Sequence, residues 1–172
     1  MKFEIQKEDI QSLELIKSRV EDNSSQIDSI VATIIKPYCK DLDYYVGFIH
    51  DCLKDGTNPP TTSELEDFCM NLATYIYFAG GICENLGIRD DIAKAVYKEV
   101  YNSSRNSVSG TVQDKNTQAE LHSQEEQIIS AAYTRAYKTV KAKVEAAQEL
   151  LQSCKKVLSH RITEIELTRF SS

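Results

Sequence analysis

Residues 129–165 read ISAAYTRAYKTVKAKVEAAQELLQSCKKVLSHRITEI, without a single Gly or Pro. Ile129, Tyr133, Ala136, Val140, Val144, Ala147, Leu151, Cys154, Leu158, Ile162 and Ile165 recur at steps of four and three. That period draws one apolar seam along a helix and has no counterpart in a strand. The seam holds for about five heptads, and the pattern predicts a helix starting near Asn116. At 1.5 Å per residue, some 50 residues make a rod of about 75 Å. A chain of 172 residues has little with which to cover such a rod. The expectation is lengthwise packing on another helix of this chain, on another subunit, or on both, with self-association of the chain following from the seam. Alanines at seam positions 136 and 147 favour close helix approach.

The N-terminal sequence repeats the same grammar in shorter pieces. Ile10, Leu13, Ile16 and Val20 mark a short amphipathic helix, and Asp22-Asn-Ser-Ser25 reads as a break with Ser25 as the next N-cap. Ile27, Val31, Ile34, Tyr38, Leu42, Tyr45, Ile49 and Leu53 form a second seam, with a kink or short break expected at Pro37. Asp55-Gly-Thr-Asn-Pro-Pro-Thr61 is a loop. Thr61-x-x-Glu64 and Ser63-x-x-Glu66 both match the capping box that opens a helix. Leu65, Phe68, Leu72, Ile76, Ala79, Cys83 and Leu86 follow on one stripe, with Gly87 placed as C-cap. Gly80-Gly81 inside that stripe costs roughly 1 kcal/mol per Gly relative to Ala. Close approach of a neighbouring helix is the simplest reason for it; a hinge or ligand contact is the other. Arg89-Asp90-Asp91 opens a fourth helix carrying Ile92, Val96 and Val100. The polar run from Asn102 through Thr111 reads as a linker.

The expectation is therefore an all-α chain, a bundle of about four shorter helices plus one long C-terminal coiled-coil-like helix. It divides into an acidic helical domain (1–101), a polar linker (102–116) and a long basic helix (117–172). Hydrophobic residues make up 41% and charged residues 27%, with six Gly, three Pro and no Trp, a composition suited to helix-on-helix packing. No segment reaches the roughly 18 uncharged apolar residues of a membrane span, and Met1-Lys-Phe-Glu-Ile5 has no signal-peptide character. Five scattered cysteines, 39, 52, 69, 83 and 154, read as reduced core thiols. A cytoplasmic protein is expected.

The net charge of −6 conceals a polarity. Residues 1–130 hold twelve Lys and Arg against twenty-two Asp and Glu, a balance of −10; residues 131–172 hold eight against four, +4. An acidic body carries a basic arm. On the arm, Arg135, Lys138, Lys141, Lys143, Lys155, Lys156 and Arg161 stand outside the seam, with Tyr133 and Tyr137 beside them. Cations next to planar side chains are what a single-stranded nucleic acid needs, for phosphate neutralisation and base stacking. The alternative is a solvated helix face paired with the acidic body.

Chemistry-bearing constellations are sparse. His50, His122 and His160 are scattered, and His50, Cys52 and Cys39 lack metal-ligand spacing. No phosphate loop, nucleophile elbow or dinucleotide fingerprint occurs. The paired ExxE and ExxD registers of helical nucleotide pyrophosphohydrolases are missing too. Asp41-x-Asp43 and Asp90-Asp91 read as solvated helix-face or helix-start acids. No catalytic residue, metal or cofactor is expected.

Several stretches resemble a group of small helical proteins encoded by tailed phages of Gram-positive hosts. They are Tyr77-Phe-Ala-Gly-Gly81, Leu86-Gly-Ile-Arg-Asp-Asp-Ile-Ala-Lys-Ala95 running into Val96-Tyr-Lys-Glu-Val-Tyr-Asn102, and Gly110-Thr-Val-Gln-Asp-Lys115. Ala132-Tyr-Thr-Arg-Ala-Tyr-Lys-Thr-Val-Lys-Ala-Lys143 and Leu150-Leu-Gln-Ser-Cys-Lys-Lys-Val-Leu-Ser-His-Arg161 complete the set, which spans roughly residues 27–169. The C-terminal part, with Ser159-His160-Arg161, Ile165 and the late aromatic Phe170, distantly resembles the UvsY-type recombination mediators of phages. That resemblance implies an oligomer that binds single-stranded DNA and works with a phage recombinase or helicase in the host cytoplasm. Two readings stand beside it. One is a protein–protein module, such as a virion scaffold component or an acidic inhibitor of a host defence protein. The other is a small-molecule enzyme or sponge with Gly80-Gly81 and tyrosines at its pocket.

Overall fold

A computed structural model describes residues 7–54 and 59–170; the side chains of residues 7–16, 19 and 23 fall outside the description. The chain is all-α, with helices α1 (Lys7–Lys54), α2 (Thr62–Ser107), α3 (Val112–His122) and α4 (Gln124–Phe170), and no strand among the described residues. At 48, 46 and 47 residues, α1, α2 and α4 are each about 70 Å long. The expected contrast between four short helices and one long one is thus replaced by three equal rods and a short α3.

The sequence breaks that suggested shorter helices are absorbed. Asp22–Ser25 is helical, and the Ser25 hydroxyl donates to the Glu21 carbonyl 2.9 Å away instead of capping a new helix. An exposed Ser can return its hydrogen bond to the preceding turn and stay in a helix. Pro37 lies within α1 on its exposed side, where water can satisfy the carbonyl it strands. Buried Ile35 and Cys39 hold the same turn to the core. Gly87 is no C-cap either, since α2 runs through it. A Cβ at Gly87 would stand 3.4 Å from the Tyr137 ring on α4. Asn102–Ser107 continues α2, and the non-helical connection narrows to residues 108–111. Loop residues 55–58 and the seam positions Ile10, Leu13 and Ile16 lie outside what is described.

The starts of α2 and α3 are both specified chemically. Thr61 and Glu64 form a reciprocal capping box at the start of α2, and Thr111 and Asp114 do the same for α3. Gly110, at φ +144°, takes a conformation that L side chains rarely adopt just ahead of the second cap. Between α3 and α4 the helix is interrupted once, at the fully buried Ser123, whose hydroxyl and backbone N–H both donate to the Ala119 carbonyl.

Side-chain pairings give the directions. Thr134 meets Asp90, Tyr137 faces Gly87, and Arg161 donates to the Pro60 carbonyl, so α2 and α4 run antiparallel. Tyr45 reaches the Asp67 carbonyl and the Tyr75 ring, and Phe48 sits edge-on to Phe68, so α1 and α2 are antiparallel too. Lys143 pairs with Asp43, leaving α1 parallel to α4. Two apolar layers fill this three-helix bundle. One holds Leu42, Ile49, Leu65, Phe68, Leu72, Ala79, Ala147 and Leu151; the other Val31, Ile35, Cys39, Leu86, Ala132, Ala136 and Val140. The α4 seam from Tyr133 to Leu158 therefore packs on α1 and α2 of the same chain. Its ends, Ile129, Ile162 and Ile165, stay 40–49% exposed.

Candidate nucleic-acid interface

The cations singled out on α4 separate by their position around the helix. Arg135, Lys138, Lys141, Lys155 and Lys156 are exposed, whereas Lys143 and Arg161 are half-buried. Lys143 Nζ lies 2.5 Å from Asp43 Oδ1 on α1, and the Arg161 guanidinium donates to the Pro60 carbonyl ahead of α2. Those two cations serve the bundle. Asp43, expected as a solvated acid, is the partner that takes Lys143. Glu145 and Glu149 share a trough of about 790 Å³ with Lys156, Gln152 and Ile76, which divides the exposed cations into an N-terminal and a C-terminal group.

The N-terminal group has the more developed surroundings. Arg135 and Lys138 line a groove of about 350 Å³ between α2 and α4, together with Tyr97, Gln127, Ser130 and Thr134. Tyr97 is half-buried, with its ring 6.3 Å from that of Tyr101. Arg135 also borders a groove against α1, lined by Val20, Ser24, Ile27 and Asp28. The cluster is thus bordered by α2 at one groove and by α1 at the other.

Beneath the groove, Asp90 is 4% exposed; the reading of Asp90 as a solvated helix-start acid is overturned. Its carboxylate accepts from Thr134 Oγ1 at 2.5 Å and from Lys94 Nζ at 2.7 Å. Burial pushes its pKa up, but the hydrogen bonds from Lys94 and Thr134 and the charges of Lys94 and Lys138 outweigh it and hold the carboxyl below its ordinary value. An ionised Asp90 anchors Thr134 in the turn that carries Arg135 and Lys138.

The aromatic partners differ from expectation. Tyr133 and Tyr137 are half-buried against the second core layer, and Tyr97 of α2 supplies the ring beside the cations. The sequence signal for it was present: Tyr97 and Tyr101, four residues apart on the same helical face. It could not be used without knowing that α2 runs antiparallel to α4.

Other features are plainer. Elsewhere between the same helices, Arg89, Ile92, Ala93, Val96, Glu126, Ile129 and Tyr133 line an apolar groove of about 290 Å³. Glu126 Oε2 there is buried without a hydrogen-bond partner. All five cysteines are free, and burial raises the thiols of Cys39, Cys69, Cys83 and Cys154 above their ordinary pKa, as expected of inert core thiols. Among the described residues no group of three His, Cys, Asp or Glu could hold a metal ion, and no helix is long and apolar enough to cross a membrane. A Cβ at Gly80 or Gly81 would meet nothing within 4 Å, so close packing of another helix of this chain is not what keeps them glycine. Comparison with known protein families, characterised proteins and solved structures returns no match.

Proposed function

We propose that the chain is a non-enzymatic accessory protein of phage DNA recombination or replication that binds single-stranded DNA along α4. The observation that supports this reading is the sharing of one groove by Arg135, Lys138 and Tyr97. Two cations and a half-buried ring lining one groove supply both parts of single-strand recognition: phosphate neutralisation, and a flat apolar surface for a base. Lys141 extends the track, and Lys155 and Lys156 form a second contact beyond the acidic interruption. The reading assigns Lys143 and Arg161 to the bundle instead of the DNA.

Fluorescence anisotropy with a labelled oligonucleotide tests it. Three phosphate contacts correspond to a slope of about −2 in log affinity against log salt, at roughly 0.7 per contact for single strands. Replacing Arg135 and Lys138 by Glu is expected to abolish that dependence, while Tyr97→Ala lowers affinity about 10-fold or more at every salt concentration. No binding at low salt sinks the proposal.

A second reading, a protein–protein module, is favoured by a different observation. Tyr44, Met70, Tyr77 and Phe78 are each more than 60% exposed, and single-stranded DNA bound on α4 gives no reason for them.

A further inference from the structure

Helix α2 is apolar on two opposite faces. Leu65, Phe68, Leu72, Ala79 and Leu86 face the core. Half a turn away, at 100° per residue, Met70, Thr74, Tyr77, Gly81, Ile88 and Ile92 fall on one outer stripe. Met70 is 73% exposed, Tyr77 78%, Ile88 57% and Ile92 57%, with Phe78 beside them at 63%. From Phe68 to Cys83 there is no charged residue on any side of the helix.

We propose that this outer face of α2 binds the same face of a second copy of the chain, antiparallel, with the two helices crossing at Gly81. Area is the first argument. With about 150–250 Å² on each aromatic side chain, the five exposed side chains present on the order of 600 Å². That equals the largest apolar patch usual on a monomer and approaches the roughly 800 Å² per partner of a stable interface.

Self-complementarity is the second. Around Gly81 the stripe is nearly symmetric in sequence: Met70 and Ile92 stand eleven residues away, Thr74 and Ile88 seven, Tyr77 and Asn85 four. A two-fold axis at Gly81 brings each residue opposite its counterpart, apolar on apolar at the ends and a phenol facing an amide near the centre. The same operation sets Glu64 of one copy level with Lys98 of the other, where a parallel pair would set each level with its own kind. The glycine is the third. Nothing in its own chain lies within 4 Å of a Cβ at position 81, yet the helix bears its propensity cost. Contact between two backbones at the crossing point supplies the missing reason.

The test is the mass of the full chain at tens of micromolar by light scattering, expected at twice 19.4 kDa. Tyr77→Glu alters a side chain with little intramolecular contact, and is expected to leave helicity intact while raising the dimer dissociation constant at least 100-fold. A wild-type mass of one chain, or a folded Tyr77→Glu protein that stays dimeric, overturns the proposal. Gly81→Cys examines the geometry by itself. Under mild oxidation it is expected to give a covalent dimer well above the wild-type background, because the axis brings the two sites within disulfide reach. Cross-linking no stronger than wild type overturns the crossing point. The cation groove lies on another face, so failure here leaves single-strand binding intact, and loss of that binding leaves the mass unchanged.

Discussion

Thr134 on α4 donates its hydroxyl to Asp90 on α2 across 2.5 Å, while Lys94 holds the other carboxylate oxygen at 2.7 Å. The buried acid is thereby satisfied from both helices, which fixes their register at the end of the bundle that carries Arg135 and Lys138. Asp90→Ala leaves Thr134 and Lys94 without their acceptor and is expected to cost about 2 kcal/mol, read as a fall of about 4–8 °C in Tm. The sign of the pH dependence follows from the depressed pKa. The stabilisation is complete above the unfolded carboxylate value, about 3.9, and is lost as pH falls through the lower folded value. Denaturant titrations of wild type and variant should therefore separate above about pH 5 and draw together as pH falls below the unfolded value of about 3.9.

Glycines inside long helices can be sorted by what their missing Cβ would touch. At Gly47 and Gly80 it would touch nothing within 4 Å, whereas at Gly87 it would stand 3.4 Å from the Tyr137 ring. Gly47→Ala and Gly80→Ala are each expected to stabilise the fold by about 0.5–1 kcal/mol through helix propensity. Gly87→Ala should keep that gain, because its Cβ meets the Tyr137 ring at ordinary van der Waals distance. Destabilisation by Gly87→Ala in chemical denaturation would contradict that geometry.

The helical period was legible throughout, and the four-three seams of residues 27–49 and 133–158 correspond to what is packed. Element ends were not. Asp22–Ser25, Pro37, Gly87 and Asn102–Ser107 carry the local chemistry of breaks, yet each lies in a helix, and Pro37 and Gly87 stand next to buried residues of the same turns. Local propensity of about 1 kcal/mol per residue yields to burial of side chains such as Leu86 and Cys39, both about 1% exposed. Thr111-x-x-Asp114, by contrast, was a readable start signal inside the stretch taken as linker.

The cations were legible as residues but not as a site. Nothing in the sequence distinguishes Lys141, exposed, from Lys143, paired with Asp43 one hundred residues earlier. That distinction depends on α1 lying parallel to α4. Asp90 likewise becomes a buried acid only because Thr134 arrives from another helix.

The two capping boxes have unequal consequences. Thr61 starts a helix whose first turns bury Leu65 and Phe68. Thr111 starts α3, which buries Ala119 alone among its eleven residues. Loss of either cap costs about 1 kcal/mol. Thr61→Ala is expected to lower global stability by that amount. Thr111→Ala should instead raise hydrogen exchange locally across α3, by about 5-fold, with little change in the global transition.

Small residues on α4 set how near α1 and α2 can come. Ala132 and Ala136, one turn apart and fully buried, lie in the layer with Val31, Ile35, Cys39 and Leu86. Enlarging either must push the helices apart or drive the new side chain off its rotamer, at a cost of about 1–3 kcal/mol. Ala142 and Ala146, which are exposed on the same helix, provide the control, since leucine there retains good helix propensity and meets water. Ala136→Leu is therefore expected to lower Tm by several degrees while Ala142→Leu leaves it within about 2 °C. If both changed Tm alike, α4 would be acting through its own helicity instead of through the bundle. The same comparison extends to binding: separation of α2 from α4 moves Tyr97 away from Arg135 and Lys138, so single-strand affinity should fall for Ala136→Leu and persist for Ala142→Leu.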